Sequence, residues 1–541
     1  MFSMTVGLRR LVATIALGAL GACSAVPTGG SAADGRHAWT IPDTLRVGTP
    51  VVPRTLNPIL GTQTIEGSLA RLVTDILVSV DEHGAFVPML ASEVPTQKNG
   101  DISSDGRTIR YRLRSGVKWH DGVAFTSKDV KFTFDAIMNP KNDVISRHGY
   151  DVVDRVTTPD DATVIFHLKT AFAPAIGTIF GESDSPYGIL PEHLLAKYPS
   201  LNDVPFNSAP IGTGPFKIVS WQRGDRITYA RNDEYFLGKP KLKTIVVRLV
   251  PDENTLITQL RTHEIDWLFE GSVTAYHAIK TIPNITIRLT PFNGFNSLMF
   301  NNAKGPLADV RLRRALVMAI DKKRLVDAIT FGTAVQAKED LPSFLWAYDP
   351  NVPEIRYDPV AAKAQLAALG YGPGKKALDL NFVFEQSTVL NKTLAVQIQS
   401  ILHELNVEVH LRPELSSIIY GGYGANGTLA RGNYDMAIYL WIAGIDPDNS
   451  AQFTCANRPP GGFNHSYFCS KAMDAAQAVA LSSSDQVKRK AAYRTIEATL
   501  ARDAAQDFLW WPRWTQAINP DLKHFDPNPV VETWDARNWE I

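Results

Sequence analysis

The chain has 541 residues, of which 45% are hydrophobic and 20% are charged, a balance typical of a water-soluble globular protein. This length exceeds what one hydrophobic core usually supports, so we expect two or three lobes. Lysine plus arginine and aspartate plus glutamate both number 55, and without a basic run the sequence does not fit a nucleic-acid-binding protein.

The N-terminal segment has the pattern of an export signal. Arg9 and Arg10 precede the apolar run LVATIALGAL, and small residues follow it. The run is too short for a comfortable membrane span. We therefore predict that residues 1–22 are a signal peptide and that the protein is exported.

The residues after this signal predict a membrane anchor. Leu20-Gly21-Ala22-Cys23 resembles the bacterial lipoprotein box, in which the cysteine is lipidated and becomes the mature N-terminus. The alternative is an ordinary signal followed by a chance cysteine. Residues 23–40 are rich in glycine, serine, alanine and proline, so we predict a flexible, lipid-anchored tether.

Strands and helices alternate through the rest of the chain. Strand patterns occur at Thr44–Thr49, Thr163–Lys169, Phe216–Trp221, Arg226–Arg231, Lys243–Leu249, Leu378–Phe384 and Val407–Leu411. Helix starts are predicted where an aspartate precedes a helical pattern, at Asp309, Asp321 and Asp358. The sequence therefore predicts an α/β fold.

The stretch RSGVKWHDGVAFTSKDV, Arg114–Val130, places a histidine directly beside an aspartate. Asp-Gly turns a chain, and Thr126 with Asp129 three residues later has the pattern of a capping box. Adjacent His and Asp side chains cannot easily both reach one metal ion, and no second ligand pair lies nearby at helical spacing. We therefore interpret His120 and Asp121 as structural residues rather than a catalytic or metal site.

One glycine-rich segment has the spacing of a nucleotide-binding motif. Gly422–Gly427 spells a formal GxGxxG, with Asp446 about twenty residues further on. The residues that follow do not continue as an apolar helix, so we interpret the segment as a glycine-rich loop. The sequence has no GxSxG, HExxH or GxxxxGK[ST] motif, and we predict neither enzymatic activity nor a cofactor nor a metal site. An exported hydrolase built from scattered Ser, His and Asp residues remains an alternative.

Beyond Cys23 the sequence contains two cysteines, Cys455 and Cys469. In an exported chain an even pair at short spacing fits one disulfide. The pair is not a CxxC motif and has no metal-ligand spacing, so zinc binding and thiol redox chemistry are not expected.

Several segments, in this order, resemble a known family. They are TLNP (Thr55–Pro58), Leu113–Ile137, Ile211–Leu242, HEIDW (His263–Trp267), Leu307–Gly332, Tyr357–Tyr371, Tyr434–Ser450 and Phe463–Ala476. Together they are similar to the extracytoplasmic solute-binding proteins of family 5, the peptide, oligopeptide and nickel type that serve ABC importers. The last segment resembles that of the dipeptide-binding subgroup, including its disulfide cysteine.

This resemblance implies the type II periplasmic-binding-protein fold of the large peptide-binding class. Two lobes would close around a ligand, and the chain would cross between them twice. Residues 41–80, 205–272 and 518–541 would form lobe I, residues 81–204 an extra subdomain on it, and residues 273–517 lobe II.

The resemblance also implies where a ligand would lie. Family members hold extended peptides largely through backbone hydrogen bonds. The matching positions in this sequence come from three segments, and they are Thr55, Leu56, Asn57, Gly61, Thr62, Phe295, Asn296, Trp441, Gly444 and Asp446.

One position departs from the pattern of the peptide-binding relatives. They carry an aspartate shortly after this tryptophan that pairs with the ammonium group of the ligand, whereas this chain has Gly444. A buried ammonium needs a compensating carboxylate. Either Asp446 takes that role with a shifted loop, or the ligand has no free amine there.

The resemblance implies a monomeric, periplasmic, lipid-anchored binding protein that delivers short peptides to the permease subunits of an ABC importer. The alternative within the class is a non-peptide solute such as a sugar, an opine or a metal chelate.

Overall fold

The computed structural model describes residues 35–541. The predicted signal peptide and Cys23 lie outside the described residues. The chain divides into Met1–Thr40 and Ile41–Ile541, and the following description concerns the second unit.

Residues 41–541 form strands that belong to four sheets. The strands are β1 (Thr44–Thr49), β2 (Val78–Val80), β3 (Phe86–Pro88), β4 (Thr108–Arg112), β5 (Val153–Asp160), β6 (Thr163–Leu168), β7 (Phe216–Gln222), β8 (Arg226–Arg231), β9 (Thr244–Leu249), β10 (Trp267–Gly271), β11 (Thr286–Pro291), β12 (Gly294–Phe300), β13 (Val335–Gln336), β14 (Leu378–Glu385), β15 (Val407–Glu414), β16 (Met436–Ile442), β17 (Gln506–Trp511) and β18 (Arg513–Ile518).

Helices connect and cover these strands. They are α1 (Thr64–Arg71), α2 (Ser127–Met138), α3 (Ala175–Thr178), α4 (Glu192–Leu195), α5 (Glu253–Arg261), α6 (Tyr276–Ile279), α7 (Val310–Ala319), α8 (Lys322–Thr330), α9 (Pro359–Ala368), α10 (Val389–His403), α11 (Ser416–Ile419), α12 (Thr428–Arg431), α13 (Ser450–Phe453), α14 (Lys471–Ser482) and α15 (Gln486–Arg502). The strand patterns listed from the sequence are confirmed to within a few residues at their ends.

Two large mixed sheets carry the two lobes. The first has the order β11-β18-β10-β1-β9-β8-β7, with β1 parallel to both β9 and β10. The second has the order β13-β17-β12-β16-β14-β15, with β14 parallel to β15 and β16. The C-terminal segment returns to the first sheet, where the rings of Trp539 and Trp267 lie 5.5 Å apart in the core.

The chain crosses between these sheets twice, once between β11 and β12 and once between β17 and β18. Strands β11 and β18 therefore belong to the first sheet, although they begin inside the 273–517 range expected for lobe II. The lobe boundaries stay a proposal, and strand membership favours crossings near Phe292 and Pro512.

The extra subdomain has its own antiparallel sheet, β4-β6-β5, and its own core, which includes Trp119, Tyr150 and Phe166. Helix α2 packs on this sheet. Thr126 caps the helix as predicted, because Lys128 N donates to its hydroxyl and Asp129 accepts from Thr126 N at 2.8 Å.

The His120–Asp121 pair has structural contacts, as predicted from the turn. His120 Nε2 lies 2.9 Å from the Gly214 carbonyl, and its Nδ1 accepts from Gly212 N at 3.2 Å. Asp121 instead contacts His193 Nε2 at 2.9 Å. His120 therefore joins the subdomain to the loop that precedes β7, and Asp121 forms a contact within the subdomain.

The structure confirms two further predictions, one for the cysteine pair and one for the glycine-rich segment. Cys455 and Cys469 form a disulfide. Gly422–Gly427 forms a short turn at Tyr423–Ala425 before the four-residue helix α12, not the strand–loop–helix unit of a dinucleotide site.

Candidate functional site

A cavity of about 270 Å³ lies between the two lobes, at the point where loops from both sheets meet. Lobe I contributes the loop after β1 and the start of α1, the subdomain contributes two loops, and lobe II contributes the end of β16. Ligands of open α/β sheets typically bind outside the carboxyl ends of strands. The lining residues include Asn57, Gly61, Thr62, Thr64, Glu66, Ile145, Asp184, Tyr187, Trp441, Ile442, Phe463 and Val530.

The loop after β1 is held rigid by Glu66. The carboxylate of Glu66 accepts hydrogen bonds from the backbone N–H groups of Arg54, Thr55 and Thr62 at 2.6, 3.2 and 2.8 Å. Glu66 is only 2% exposed, so these donors compensate its charge. The loop therefore presents a fixed backbone edge to the cavity.

The structure separates the predicted residues of this loop into two groups. Asn57, Gly61 and Thr62 line the cavity. Thr55 and Leu56 are buried behind them, and Thr55 accepts from Asn57 N at 3.0 Å. These two residues support the loop without lining the cavity.

Trp441 lies at the end of β16 and lines the cavity from the opposite lobe. Its ring is half-buried and lies 6.1 Å from that of Phe463. Of the other two residues predicted in lobe II, Phe295 is buried and packs edge-to-face on Phe508, and Asn296 is buried on β12. Neither lines the 270 Å³ cavity.

Gly444 makes direct contact with the subdomain across the cleft. A Cβ atom added to Gly444 would lie 2.8 Å from Ser183 Cα and from Asp184 N. Ile445 N also donates to the Glu182 carbonyl at 2.8 Å. The segment 182–184 thus occupies the space that a side chain at position 444 would need.

Asp446 forms a salt bridge with an arginine of its own lobe. Arg489 Nη2 lies 2.6 and 2.9 Å from the two carboxylate oxygens, and Arg489 Nε donates to the Ala480 carbonyl at 2.8 Å. Both side chains are about nine-tenths buried. Burial raises the pKa of Asp446, and the Arg489 charge opposes that shift. The geometry therefore does not favour Asp446 as the partner of a ligand ammonium.

His148 and Asp448 form an ion pair between the subdomain and lobe II, with His148 Nε2 3.1 Å from Asp448 Oδ2. Burial alone would lower the pKa of His148, but the hydrogen bond and charge of Asp448 raise it to about 9. Burial would raise the pKa of Asp448, but His148 holds it below its usual value. Both partners are therefore charged at neutral pH.

Asp184 is a cleft residue that the sequence analysis missed. It lines the 270 Å³ cavity and also a smaller one of about 30 Å³ that contains Gly444 and His148. Burial raises the pKa of its carboxyl group, and the charge of His148 partly offsets this. Its local sequence, SDSPY, has no motif that distinguishes it from an ordinary turn.

A larger space of about 650 Å³ lies beside the cleft, between the subdomain and lobe II. Phe86, Phe172 and Trp346 line it, and the Arg489–Asp446 pair forms part of its wall. The Arg489 guanidinium also lies 5.1 Å from the Trp346 ring centre. Among residues 35–541 no group of three His, Cys, Asp or Glu side chains could hold a metal ion.

Two sheets with a ligand-sized cavity between them are the architecture of a two-lobed binding protein. A family model described as "Bacterial extracellular solute-binding proteins, family 5 Middle" matches residues 85–461, which is most of the chain. The chain therefore belongs to the family 5 solute-binding proteins and has their two-lobed α/β fold.

Individual proteins agree with this assignment. The chain is 25% identical over 510 residues to "Oligopeptide-binding protein AppA" of Bacillus subtilis, covering 92% of this chain and 91% of that protein. It resembles the structure of NikZ from Campylobacter jejuni in complex with Ni(L-His), with a TM-score of 0.77, 25% identity, and coverage of 93% and 100%. It also resembles the ABC transporter substrate binding protein CtaP of Listeria monocytogenes, with a TM-score of 0.80, 25% identity, and coverage of 92% and 98%.

Within the described range 35–541 no helix has the length and apolar character needed to cross a membrane.

Proposed function

We propose that this protein captures a small solute, in the first instance a short peptide, in the cleft between its lobes and delivers it to the permease of an ABC importer. The observation that carries the proposal is the 270 Å³ cavity, which is lined from both lobes of a family 5 fold. A cavity of this size suits a small molecule. Related proteins named for an oligopeptide and for an ABC transporter support the same role.

Delivery requires that the permease distinguish loaded from empty protein. The cross-cleft contacts Ile445 N to Glu182 O and His148 to Asp448 exist only when the two sides are together. A ligand that contacts both lobes binds this closed arrangement better than the open one, and so shifts the population towards it. The closed arrangement is then the form that docks on the permease.

A non-peptide solute is the alternative to a short peptide as the ligand. The contact of Gly444 with the 182–184 segment leaves no room for a carboxylate at that position. The structure of NikZ holds Ni(L-His), so a related fold accommodates a solute that is not a peptide.

The identity of the solute can be tested by native mass spectrometry of the purified protein. We expect a heterogeneous set of short peptides to accompany it. A single non-peptide compound would replace the peptide assignment and keep the transport role. If nothing accompanies the protein and a panel of peptides and small solutes leaves its melting temperature unchanged, the binding role itself is contradicted.

We also propose that Cys23 is lipidated and tethers the protein to the membrane on the periplasmic side. The cysteine follows a predicted signal peptide at the position of a lipoprotein box. The intact protein should partition into the detergent phase of a Triton X-114 extract and lose that property in a Cys23→Ser variant. Equal partitioning of both proteins into the aqueous phase would contradict the anchor.

A further inference from the structure

The two cavities of the cleft have an acidic lining. Neither the 270 Å³ cavity nor the 30 Å³ cavity is lined by a lysine or arginine of the described chain. The acidic side chains that line them are Glu66, Asp184, Asp446 and Asp448. The only basic side chain among the lining residues is His148.

Three of these four carboxylates are held either by a cation or by several N–H donors of one loop. Glu66 accepts several backbone N–H groups of the loop after β1. Asp446 is bound to Arg489, and Asp448 is bound to His148. Asp184 accepts backbone hydrogen bonds from Ser185 and from its own N–H, but no side chain that the structure describes donates to it, and the charge of His148 is directed to Asp448. Asp184 is therefore the carboxylate of the cleft that has neither a bound cation nor a side-chain donor, and a ligand cation can supply one.

The remaining wall of the 270 Å³ cavity suits an organic cation. The aromatic side chains of Trp441, Tyr187 and Phe463 line it together with Asp184. Aromatic faces attract ammonium groups, and the attraction strengthens where water is excluded. A ligand carboxylate would find no basic side chain to compensate it, and an uncompensated buried charge is strongly unfavourable.

We propose that Asp184 is the residue that determines ligand specificity in this cleft, and that it selects ligands bearing an ammonium group and no buried carboxylate. The carboxylate comes from the subdomain, directly opposite Gly444, where its backbone fills the space of a lobe II side chain. The inference rests on the proposed function and narrows its ligand class. A peptide would bind through its N-terminus with its C-terminus outside the cavity or blocked.

Four forms of one dipeptide test the ammonium group and the carboxylate of a ligand separately. We would titrate the purified protein by calorimetry with dialanine, dialanine amide, N-acetyl-dialanine and the form capped at both ends. Phenethylamine, phenethyl alcohol and phenylacetate provide the same comparison without a peptide bond. Dialanine amide and phenethylamine carry an ammonium group and no carboxylate. These two cations should bind roughly tenfold or more tightly than the matched neutral and anionic compounds, as expected for a charged hydrogen bond.

The variant Asp184→Asn keeps the shape of the side chain and removes its charge. It should abolish the preference for the cations. Asp121→Asn serves as the matched control, because Asp121 lies in the same subdomain but contacts His193 away from both cavities, and it should keep the preference.

The outcomes separate this inference from the proposed function. Tight binding of the zwitterion or the anion, or a preference that survives in Asp184→Asn, overturns the role of Asp184 and leaves solute binding intact. Binding of all forms with equal affinity has the same meaning. If neither cation binds, the inference fails, and the native mass spectrum then decides whether the binding role fails with it.

Discussion

At the scale of single residues, Gly444 has a role that no side chain could take. Its backbone contacts Ser183 and Asp184 across the cleft, and any added Cβ would lie closer to them than real Cβ atoms do. The absence of a side chain therefore permits the two lobes to meet.

Gly444→Ala should hinder closure and so weaken ligand binding. Overpacking of this kind destabilises the packed state by about 1–3 kcal/mol, which corresponds to a loss of affinity between roughly fivefold and 150-fold. Calorimetric titration of the co-purifying ligand would measure the change. Gly422→Ala is the matched control, because an added Cβ there meets nothing within 4 Å. Equal affinity of both variants would show that closure does not need this contact.

At the scale of secondary-structure elements, Glu270 and Glu532 join strand β10 to the C-terminal segment beside helix α1. Their side chains hydrogen-bond each other, and Ser68 of α1 donates to Glu532 Oε2 at 2.7 Å. Burial raises the pKa of Glu270 to about 7 and raises that of Glu532 as well. Both carboxyl groups are therefore protonated at mildly acidic pH, and they share one proton once Glu270 ionises above about pH 7.

This pair makes lobe I less stable at alkaline pH. The pKa of Glu270 in the folded protein, about 7, lies above its usual value of 4.5. The contribution of the protonated pair to the free energy of unfolding is therefore fully present below pH 4.5 and is lost as the pH rises through about 7. Glu270→Gln should therefore have a higher free energy of unfolding than the parent at pH 8 and a smaller advantage at pH 5, measured by urea denaturation. The exposed Glu234→Gln should show no such pH dependence. An equal change in the free energy of unfolding of Glu270→Gln at pH 5 and at pH 8 would contradict the shared proton.

The start of helix α2 permits a second prediction at this scale. Thr126→Ala removes the acceptor for Lys128 N and should destabilise the protein by about 1 kcal/mol. Thr126→Ser keeps the hydroxyl and should restore most of the loss in the same urea titration. If Ser and Ala behave alike, packing of the threonine methyl group rather than capping stabilises the helix.

Sequence analysis predicted these elements well because their signals are local. Thr126, Asp309, Asp321 and Asp358 each cap a helix within a few residues of themselves, as the structure confirms. The alternating apolar pattern of Leu378–Phe384 likewise predicts a strand without reference to the rest of the chain.

The cleft was harder to predict because its contacts join distant parts of the chain. Asp446 is 43 residues from Arg489, and His148 is 300 residues from Asp448. Asp184 lies in a loop without regular pattern, and only the approach of Gly444 from the other lobe gives it a place in the site. Family resemblance pointed to Trp441 and to Asn57, Gly61 and Thr62, which line the 270 Å³ cavity, but it did not point to Asp184.

At the scale of the whole molecule, the His148–Asp448 pair couples closure to pH. The groups that face His148 are Asp448, Asp184 and Asp151, and the nearest of them is Asp448. In the open arrangement His148 would lose Asp448 of lobe II but keep Asp184 and Asp151 of its own subdomain, and its pKa would fall towards the usual 6.5. Its contribution to closure is therefore complete below pH 6.5 and is lost as the pH rises through about 9. The contribution of Asp448 is lost only on acidification, because its pKa is lowered.

Ligand affinity should accordingly fall between pH 6 and pH 9.5, by about tenfold, since partial exposure of His148 weakens the linkage. Calorimetry with a quaternary ammonium ligand, whose charge stays constant over this range, would measure it. His148→Gln should bind more weakly at pH 6 and lose most of the pH dependence, whereas the exposed His83→Gln should retain the parent profile. A pH profile that persists in His148→Gln would assign the dependence to another group, and a flat parent profile would show that the ion pair does not contribute to closure.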